Sequence, residues 1–359
     1  MSSDLFQVSN EPYHSINNYF TISPESPNGE NVVYTRFFTV PTRAKAGRAH
    51  EQLADAELRL LNRESGEDRA LSGVIKTEAH HAMSQTWLDD DTIAYYDALR
   101  EELHVLTIST GRETVFPGLH VSHYSPVTDR IVFSSQGTKE FPVKGVYSTD
   151  RRGNVSLLAR VEQIERFCPL GARGQNPYDP ESWMITHPYW SPDGRKISFL
   201  TRIRAGEAYI HLMDPDGSSL RPWSRTVPRP MHYFWFDSDS VYGHDHADGG
   251  DKCLRRYDLS GNVIETLSGP GCHGTVSPDK NWIVTEDCYQ SDPTNLYLYR
   301  RGETTPQRII VTQDAHWKHS DMHAVFSPDG KRVYFNYHVP GTDQARLFCF
   351  PLDATEADR

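Results

Sequence analysis

Four histidines occupy the same position in four similar segments of the chain. His187 begins His-Pro-Tyr-Trp-Ser-Pro-Asp-Gly and His323 begins His-Ala-Val-Phe-Ser-Pro-Asp-Gly, whereas His273 begins His-Gly-Thr-Val-Ser-Pro-Asp and His232 begins the degenerate His-Tyr-Phe-Trp-Phe-Asp-Ser. A repeat fold returns equivalent positions to one axis, so we expect the four imidazoles to converge. Imidazoles that converge on one point can bind a metal ion or act as acid and base.

Each histidine also has a structural interpretation. An imidazole at the start of an inner strand can bond to the neighbouring backbone and fill the mouth of a channel. The shared register of four histidines favours a functional site over that role. His81 and His123 lie near the same edge in other registers, where we expect them to bind substrate. His244 and His246 are better explained by a polar hairpin.

The segments behind these histidines repeat every ~40–50 residues, a period typical of solenoids and propellers. The unit has an apolar strand, a turn that is Ser-Pro-Asp-Gly in its fullest form, an alternating strand and a third strand that ends at another turn. Short alternating runs between turn signals indicate antiparallel strands, and four-stranded units at this spacing are propeller blades. We count seven units and predict one all-β domain, a seven-bladed β-propeller.

The turn signals also place the blade boundaries. We expect blades at about residues 13–65, 66–116, 117–160, 161–223, 224–267, 268–311 and 312–353, with residues 4–9 completing the last blade and closing the ring. The stretch from Thr42 to Leu61 has alanines and charged residues at helical spacing, so we predict a helix-like insertion in blade 1. The segment from Phe167 to Pro180 is rich in Gly, Pro and Arg and predicts a long loop before blade 4.

Composition excludes several classes of function. The formal net charge of -11 argues against a nucleic-acid partner, which would require basic patches. No hydrophobic run approaches membrane-spanning length, and no signal peptide is visible. The five cysteines are widely spaced without a Cys-x-x-Cys pair, which favours reduced thiols and a cytoplasmic protein.

The Ser-Pro-Asp-Gly repeats resemble the TolB-type propeller, and the histidines narrow the likeness. The run of blades that carry them resembles oligogalacturonate lyase, a seven-bladed propeller that cleaves pectin-derived oligosaccharides. The opening Tyr13-His14-Ser15-Ile16-Asn17-Asn18-Tyr19-Phe20 is similar to that family's Cys-His-Arg-Asn-Tyr-Phe. The resemblance covers most of the chain and is close from about Thr186 onward.

The resemblance implies roles for individual residues. His232 matches the family's catalytic base, and His273 and His323 match two of its manganese-ligating histidines. The family's Gln-x-x-His-x-His corresponds here to Lys318-His319-Ser320-Asp321-Met322-His323, so Lys318 stands at the glutamine and Asp321 at the middle histidine. Aspartate is an acceptable manganese ligand. His319, one residue out of register, is a further candidate ligand, and Ca²⁺ or another divalent ion is an alternative to Mn²⁺.

The implied reaction is β-elimination from an acidic, uronate-containing oligosaccharide. A divalent ion or a cationic side chain stabilises the substrate carboxylate, and a neutral histidine removes the C5 proton. We expect His187 and Tyr189 to assist His232 in catalysis. The remaining candidates are residues expected to bind substrate, namely His81, His123, Arg202, Trp317 and Lys318.

Two alternatives stay open at this point. The substrate could carry glucuronate in place of galacturonate, or the chain could be a non-catalytic TolB-like propeller that binds a protein or a ligand. The histidine register separates these classes, since a scaffold has no reason to repeat histidine at its channel entrance. A propeller attached to a peptidase is disfavoured because no Gly-x-Ser-x-Gly elbow is present.

Overall fold

The computed structural model describes residues 5–10, 12–41, 53–78, 81–168, 184–204, 207–223, 230–245, 253–287, 293–313 and 321–352. The described strands form seven antiparallel sheets, one for each blade. The fold is therefore the single-domain, seven-bladed β-propeller that the repeats predict. The innermost strand of each blade comes first in its unit, so equivalent residues of successive blades face the central channel.

The first three blades are built from consecutive strands. Blade 1 contains β2 (His14–Ile16), β3 (Asn31–Phe37), β4 (Ala54–Asn62), β5 (Asp68–Ala70) and β6 (Ile75–Thr77). Blade 2 contains β7 (Thr86–Trp87), β8 (Thr92–Asp97), β9 (Glu102–Thr107) and β10 (Arg112–Pro117). Blade 3 contains β11 (His123–Ser125), β12 (Arg130–Ser135), β13 (Gly145–Asp150) and β14 (Val155–Arg160).

A short helix, α1 (Val161–Ile164), and a 3-10 turn (Glu165–Phe167) follow blade 3. Blade 4 contains β15 (Met184–Trp190), β16 (Ile197–Arg204), β17 (Glu207–Met213) and β18 (Arg221–Pro222). Blade 5 contains β19 (Pro230–Asp237), β20 (Ser240–Asp245), β21 (Cys253–Asp258) and β22 (Val263–Pro270). Blade 6 contains β23 (Cys272–Val276), β24 (Trp282–Glu286), β25 (Thr294–Arg300) and β26 (Arg308–Gln313).

Blade 7 joins the two ends of the chain. It contains β27 (Val325–Phe326), β28 (Arg332–His338), β29 (Ala345–Pro351) and the amino-terminal β1 (Phe6–Gln7). Phe6 pairs with Cys349 and Gln7 pairs with Phe348, so the first strand supplies the outer edge of the last blade. This pairing closes the ring by backbone hydrogen bonds.

The Ser-Pro-Asp-Gly turns have one repeated geometry. In blade 4, Ser191 Oγ donates to Asp193 Oδ1 at 2.8 Å and accepts the backbone N–H of Lys196 at 2.9 Å. Gly194 has a φ of 68°, which a side chain would strain. Blades 6 and 7 repeat the serine–aspartate bond at 2.5 and 2.6 Å. The motif is therefore structural, and it fixes where the second strand begins in blades 4, 6 and 7.

The hydrophobic core is divided among the gaps between neighbouring blades. One cluster packs Phe199 and Trp190 of blade 4 against Val132 of blade 3. Another packs Phe335 and Phe350 of blade 7 against residues of blade 6. Blade-to-blade packing thus holds the inner strands in a fixed relation around the channel.

The helix-like expectation for Thr42 to Leu61 is wrong over its second half. Residues 54–62 form β4, and this period-two alternation of apolar and charged side chains belongs to a strand. The buried apolar residues are Ala54, Ala56, Leu58 and Leu60, and the charged residues between them are Asp55, Glu57 and Arg59. Buried Glu57 of the same strand pairs with Arg36 and Arg59. Residues 42–52 lie outside the described part.

Blade 1 extends beyond the expected boundary at residue 65, because β5 and β6 both pair with β4. The predicted loop from Phe167 to Pro180 lies outside the described residues from 169 onward. Among the described residues, no helix is long and apolar enough to span a membrane.

Candidate active site and metal centre

The four register histidines share an uncommon backbone conformation. The φ angles of His187, His232, His273 and His323 are 54°, 48°, 40° and 43°. The left-handed region costs a residue with a Cβ ~1–2 kcal/mol, so its repetition indicates a constraint on side-chain direction. For the first three, the pairing register shifts at the histidine, which marks a bulge in the innermost strand.

A fifth position shares this backbone. Ser84 has a φ of 50° and precedes Trp87 by the same interval that separates His187 from Trp190. Blade 2 thus has the same positive φ at the equivalent position, with a hydroxyl in place of the imidazole. The backbone conformation therefore does not require a histidine.

The histidine side chains converge at the channel. The ring centroids of His232 and His273 lie 4.2 Å apart, and those of His273 and His323 lie 4.8 Å apart. His187 joins the group through Tyr19, whose ring centroid lies 5.7 Å from that of His187. Blades 5, 6 and 7 therefore form a compact imidazole cluster, with the histidine of blade 4 at its margin.

One group within the cluster has the composition of a metal site. The ligand atoms of His273, Asp321 and His323 all lie within 4.8 Å of one another, and all three residues are buried. Asp321 Oδ2 lies 3.6 Å from His323 Nε2. Two imidazoles and one carboxylate bind divalent transition metals and leave positions open for water or substrate.

A buried carboxylate supports this group from behind. His273 Nδ1 lies 2.6 Å from Glu286 Oε1, and Glu286 Oε2 accepts the backbone N–H of Met322 at 2.9 Å. The bond holds His273 with its proton on Nδ1 and presents Nε2 as the ligand atom, as carboxylates behind metal-bound histidines do. Sequence reasoning missed Glu286, and its signal was a lone acidic residue in the otherwise uncharged, buried strand β24.

The surroundings of His273 favour a positive charge on its imidazole. Burial of His273 opposes its protonation, but electrostatic interactions with Cys272, Glu286 and Asp321, together with the Glu286 hydrogen bond, outweigh burial and raise its pKa to about 9. A buried site that stabilises positive charge on an imidazole also stabilises a bound cation. The donor set and its charge therefore fit a divalent metal ion.

A thiol lies on the other side of His273. Cys272 Sγ is 3.2 Å from His232 Nδ1. The ligand atoms of His232, Cys272 and His273 also lie within 4.8 Å of one another. His232 is partly exposed, whereas Cys272 and His273 are buried.

A segment of blade 1 enters the channel and contacts the histidines. The ring centroid of Tyr19 lies 4.8 Å from that of His323 and 5.1 Å from that of His81. The ring of Phe20 lies 5.3 Å from that of His273. We call Tyr19 and Phe20 the channel insert. Sequence reasoning used these two residues only in the family resemblance and assigned them no role.

A cavity of about 490 Å³ opens beside the cluster. Its walls come from blades 1 to 4 and include Tyr19, His81, His120, His187 and Tyr189. Tyr19 and His187 thus face both the cavity and the cluster. This volume is typical of pockets for small ligands.

Two histidines of the cavity wall, His81 and His120, interact electrostatically. His81 Nδ1 lies 2.9 Å from Glu78 Oε1. Burial, together with the nearby His81, lowers the pKa of His120 to about 4 although Glu78 opposes the shift. His120 is therefore a neutral donor or acceptor at neutral pH, suited to a sugar hydroxyl.

His123 is not among the residues that line the cavity. Its Nδ1 accepts the backbone N–H of Trp190 at 3.2 Å, and its ring packs against Tyr189 and Phe234. Burial lowers its pKa to about 4. These contacts join blade 3 to blades 4 and 5, and a role of His123 in substrate binding stays a prediction.

His244 has a similar bridging role. It is buried on β20, and its Nε2 accepts the backbone N–H of Gly274 at 3.2 Å. His244 does lie on one arm of the β20–β21 hairpin, where it pairs with Leu254, but it is buried and its acceptor nitrogen binds the backbone next to His273.

Several residues from the sequence analysis lie in parts of the chain that the structure does not describe. His246, Trp317, Lys318 and His319 fall outside the described residues. Arg202 pairs with Met184 through the backbone of β16, and the direction of its side chain is not described.

No family model and no curated protein matches the chain. Among solved structures, an oligogalacturonate lyase in complex with manganese matches with a TM-score of 0.70 at 15% identity, over 99% of this chain and 96% of that chain. An oligogalacturonate lyase from Vibrio parahaemolyticus matches with a TM-score of 0.69 at 14% identity, over 98% of this chain and 94% of that chain. A chain of the mitotic checkpoint complex matches at 0.56 and 12% identity, over 98% and 92%.

These likenesses confirm the seven-bladed propeller and the structural resemblance to oligogalacturonate lyases. At such identities they establish the fold, which also occurs in proteins without catalytic activity.

Proposed function

We propose that this protein cleaves short uronate-containing oligosaccharides by metal-assisted β-elimination. The observation that carries the proposal is the buried His273–Asp321–His323 group, backed by Glu286 and adjacent to a cavity of about 490 Å³. A non-catalytic scaffold needs neither a strained histidine in successive blades nor a carboxylate that orients one of them. The resemblance to a manganese-bound oligogalacturonate lyase favours Mn²⁺ and galacturonate.

His273, His323 and Asp321 would hold the ion. When bound, a divalent cation neutralises the substrate carboxylate and stabilises the negative charge that develops next to C5. Glu286 keeps Nε2 of His273 directed at the site through its 2.6 Å bond to Nδ1. The protein positions the substrate carboxylate at the junction of cluster and cavity, where Tyr19 lies.

His232 is the proposed base. It is partly exposed, and its ring centroid lies 4.2 Å from that of His273, so it reaches a substrate bound at the metal. His232 takes the C5 proton, the C5–H electrons form the C4=C5 double bond, and the C4–O4 bond breaks. The leaving oxygen receives a proton from a cavity residue or from water.

Two residues of the cavity wall are candidates for that proton transfer. His187 and Tyr189 both line the cavity, and Tyr189 is also nearly buried. His81, held by Glu78, and His120 lie farther along the same wall and would contact the sugar hydroxyls. Galacturonate and glucuronate differ at C4, next to the reacting carbon, so this wall would discriminate between them.

The test is ultraviolet absorbance of the purified protein with oligogalacturonates and, separately, glucuronate-containing oligosaccharides. Each substrate is measured with manganese and with a chelator. We expect absorbance of the conjugated unsaturated uronate to rise with one class and to stop on chelation. The His232→Ala variant should lose turnover but keep bound manganese, whereas His323→Ala should lose both.

The matched control is His104→Gln, because His104 is a buried histidine on β9 outside the cluster. It should keep activity and manganese. No absorbance rise with either class would overturn the lyase proposal and favour a non-catalytic propeller. Full turnover in His232→Ala would overturn only the choice of base.

A further inference from the structure

The cysteine beside His273 gives the histidine cluster a soft donor. Cys272 directly precedes His273 on β23 and is 6% exposed. Its sulfur lies 3.2 Å from Nδ1 of His232. The group that would hold manganese contains only nitrogen and oxygen donors, and so the two sides of His273 differ in chemical preference.

We propose that His232, Cys272 and His273 form a second metal site, selective for a thiophilic ion such as Zn²⁺ or Co²⁺. In a tetrahedral zinc site, bonds of about 2.0 Å to nitrogen and 2.3 Å to sulfur place the ligand atoms ~3.5 Å apart. The three ligand atoms lie within 4.8 Å of one another, so side-chain rotations suffice to reach that spacing. Binding converts the thiol of Cys272 to a thiolate, and its proton passes to solvent.

The two metal groups exclude each other because they share one nitrogen. Nδ1 of His273 is engaged by Glu286 at 2.6 Å, which leaves Nε2 as its ligand atom for either group. One imidazole lone pair binds one ion. The cluster therefore holds either an ion at His273–Asp321–His323 or a thiophilic ion at His232–Cys272–His273.

The exclusion also predicts an effect on activity. Only this effect on activity rests on the proposed function. His232 is the proposed base, and a metal bound through it occupies the lone pair that would accept the C5 proton. A thiophilic ion thus has two effects at once: it displaces the activating ion, and it blocks the base, His232. Zn²⁺ inhibits the manganese-dependent reaction, and a chelator followed by Mn²⁺ restores it.

The direct test is the absorption spectrum of the metal-free protein titrated with Co²⁺. A thiolate ligand gives a sulfur-to-cobalt charge-transfer band in the near ultraviolet, which nitrogen and oxygen ligands lack. We expect this band in the wild type and its loss in Cys272→Ser. The control is Cys349→Ser, which also places a hydroxyl at a buried cysteine but lies on β29 of blade 7, so its band should match the wild type.

A measurement on the wild type removes dependence on the variant's folding. Cobalt-edge X-ray absorption should show one sulfur neighbour at about 2.3 Å. Only nitrogen and oxygen neighbours, or an unchanged charge-transfer band in Cys272→Ser, would overturn the proposed site. Neither experiment involves a substrate, so the site can fail while the lyase proposal stands, and the reverse.

Competition tests the exclusion itself. Zn²⁺ added to the manganese-loaded protein should release Mn²⁺, seen as growth of the free-ion electron paramagnetic resonance signal. Total bound metal should stay at one ion per chain within the cluster. Retention of manganese alongside one bound zinc would show that the groups fill independently and would contradict the shared nitrogen.

Discussion

The directions of the four histidine side chains in blades 4 to 7 depend on an unusual backbone conformation. A φ between 40° and 54° is unfavourable for any residue with a Cβ, yet the chain keeps it at all four positions. Since Ser84 has a similar φ in blade 2, the conformation also occurs without a histidine. The site thus arises from side-chain choice at a preformed strained position.

This backbone predicts an inverted order of stability. Glycine in a strand is normally ~0.5–1 kcal/mol less favourable than alanine. At His187 we expect the reverse, with His187→Gly more stable than His187→Ala by ~1 kcal/mol, because glycine relieves the left-handed strain. Urea unfolding of the two variants measures the difference.

The comparison position is Ser198 on the neighbouring strand β16, which is buried and has no positive φ. There the alanine variant should be the more stable. An alanine variant of His187 more stable than the glycine variant would show that no strain is stored at the bulge.

Glu286 is the residue whose replacement should weaken metal binding without removing a ligand. Outer-shell partners of metal-bound histidines typically contribute ~10–100-fold in affinity. We expect Glu286→Gln to bind manganese weaker by about that factor, measured by titration calorimetry. Glu57→Gln, which alters another buried carboxylate on β4, should bind manganese as the wild type does.

Among the elements, the Ser-Pro-Asp-Gly turns carry a pH dependence. Partial burial disfavours ionisation of Asp193, Asp279 and Asp329, but hydrogen bonds from serine hydroxyls and backbone N–H groups outweigh it and hold their pKa values below the usual range. A carboxylate with a depressed folded pKa stabilises the protein above its unfolded value, ~3.9, and this contribution is lost as pH falls further.

We therefore expect the thermal midpoint to fall as pH drops below ~4, since the turns then lose their charged form. The triple variant Asp193→Asn, Asp279→Asn, Asp329→Asn should have a lower midpoint at pH 7 and a flatter dependence below pH ~4. Differential scanning calorimetry across this range measures both. Parallel curves for variant and wild type would place the acid sensitivity elsewhere.

The turns and the histidine register are the features that could be predicted from the sequence. Both are repeated motifs that can be recognised in the amino-acid sequence. Both locate features whose structure is determined within a single blade. The strand β4 was mistaken for helix because Ala, Glu, Leu and Arg favour helices intrinsically, whereas pairing with β3 decided the outcome. Glu286 and the channel insert acquire their roles from neighbours in other blades, which no local pattern encodes.

At the scale of the molecule, closure joins distant parts of the chain at the seam between blades 7 and 1. Beyond the pairing of β1 with β29, Arg332 bonds both carboxylate oxygens of Glu25 at 2.8 and 2.7 Å. Tyr334 donates to the same carboxylate at 2.5 Å. The seam therefore combines a strand pairing with an ion pair whose carboxylate is buried and whose guanidinium is partly exposed.

Removal of residues 1–9 should lower the thermal midpoint and weaken manganese binding together, because His323 belongs to the blade that loses its outer strand. The midpoint is measured by calorimetry and metal affinity by titration. A control that replaces only exposed Phe6 with Ser keeps the strand and should retain metal affinity. Wild-type values for the truncated chain would show that closure does not depend on β1.

The channel insert has a consequence for the order in which the protein can mature. Tyr19 and Phe20 come earlier in the chain than the imidazoles of blades 6 and 7 that they touch, and Phe20 is tied to blade 6 by a 3.0 Å bond from Thr275 Oγ1 to its carbonyl oxygen. During synthesis the aromatic pair therefore lacks its contacts with His273 and His323 until blades 6 and 7 have been made. The proposed metal group, His273, Asp321 and His323, can form only after blades 6 and 7 are in place, so metal uptake by a refolding chain would report that the ring has closed.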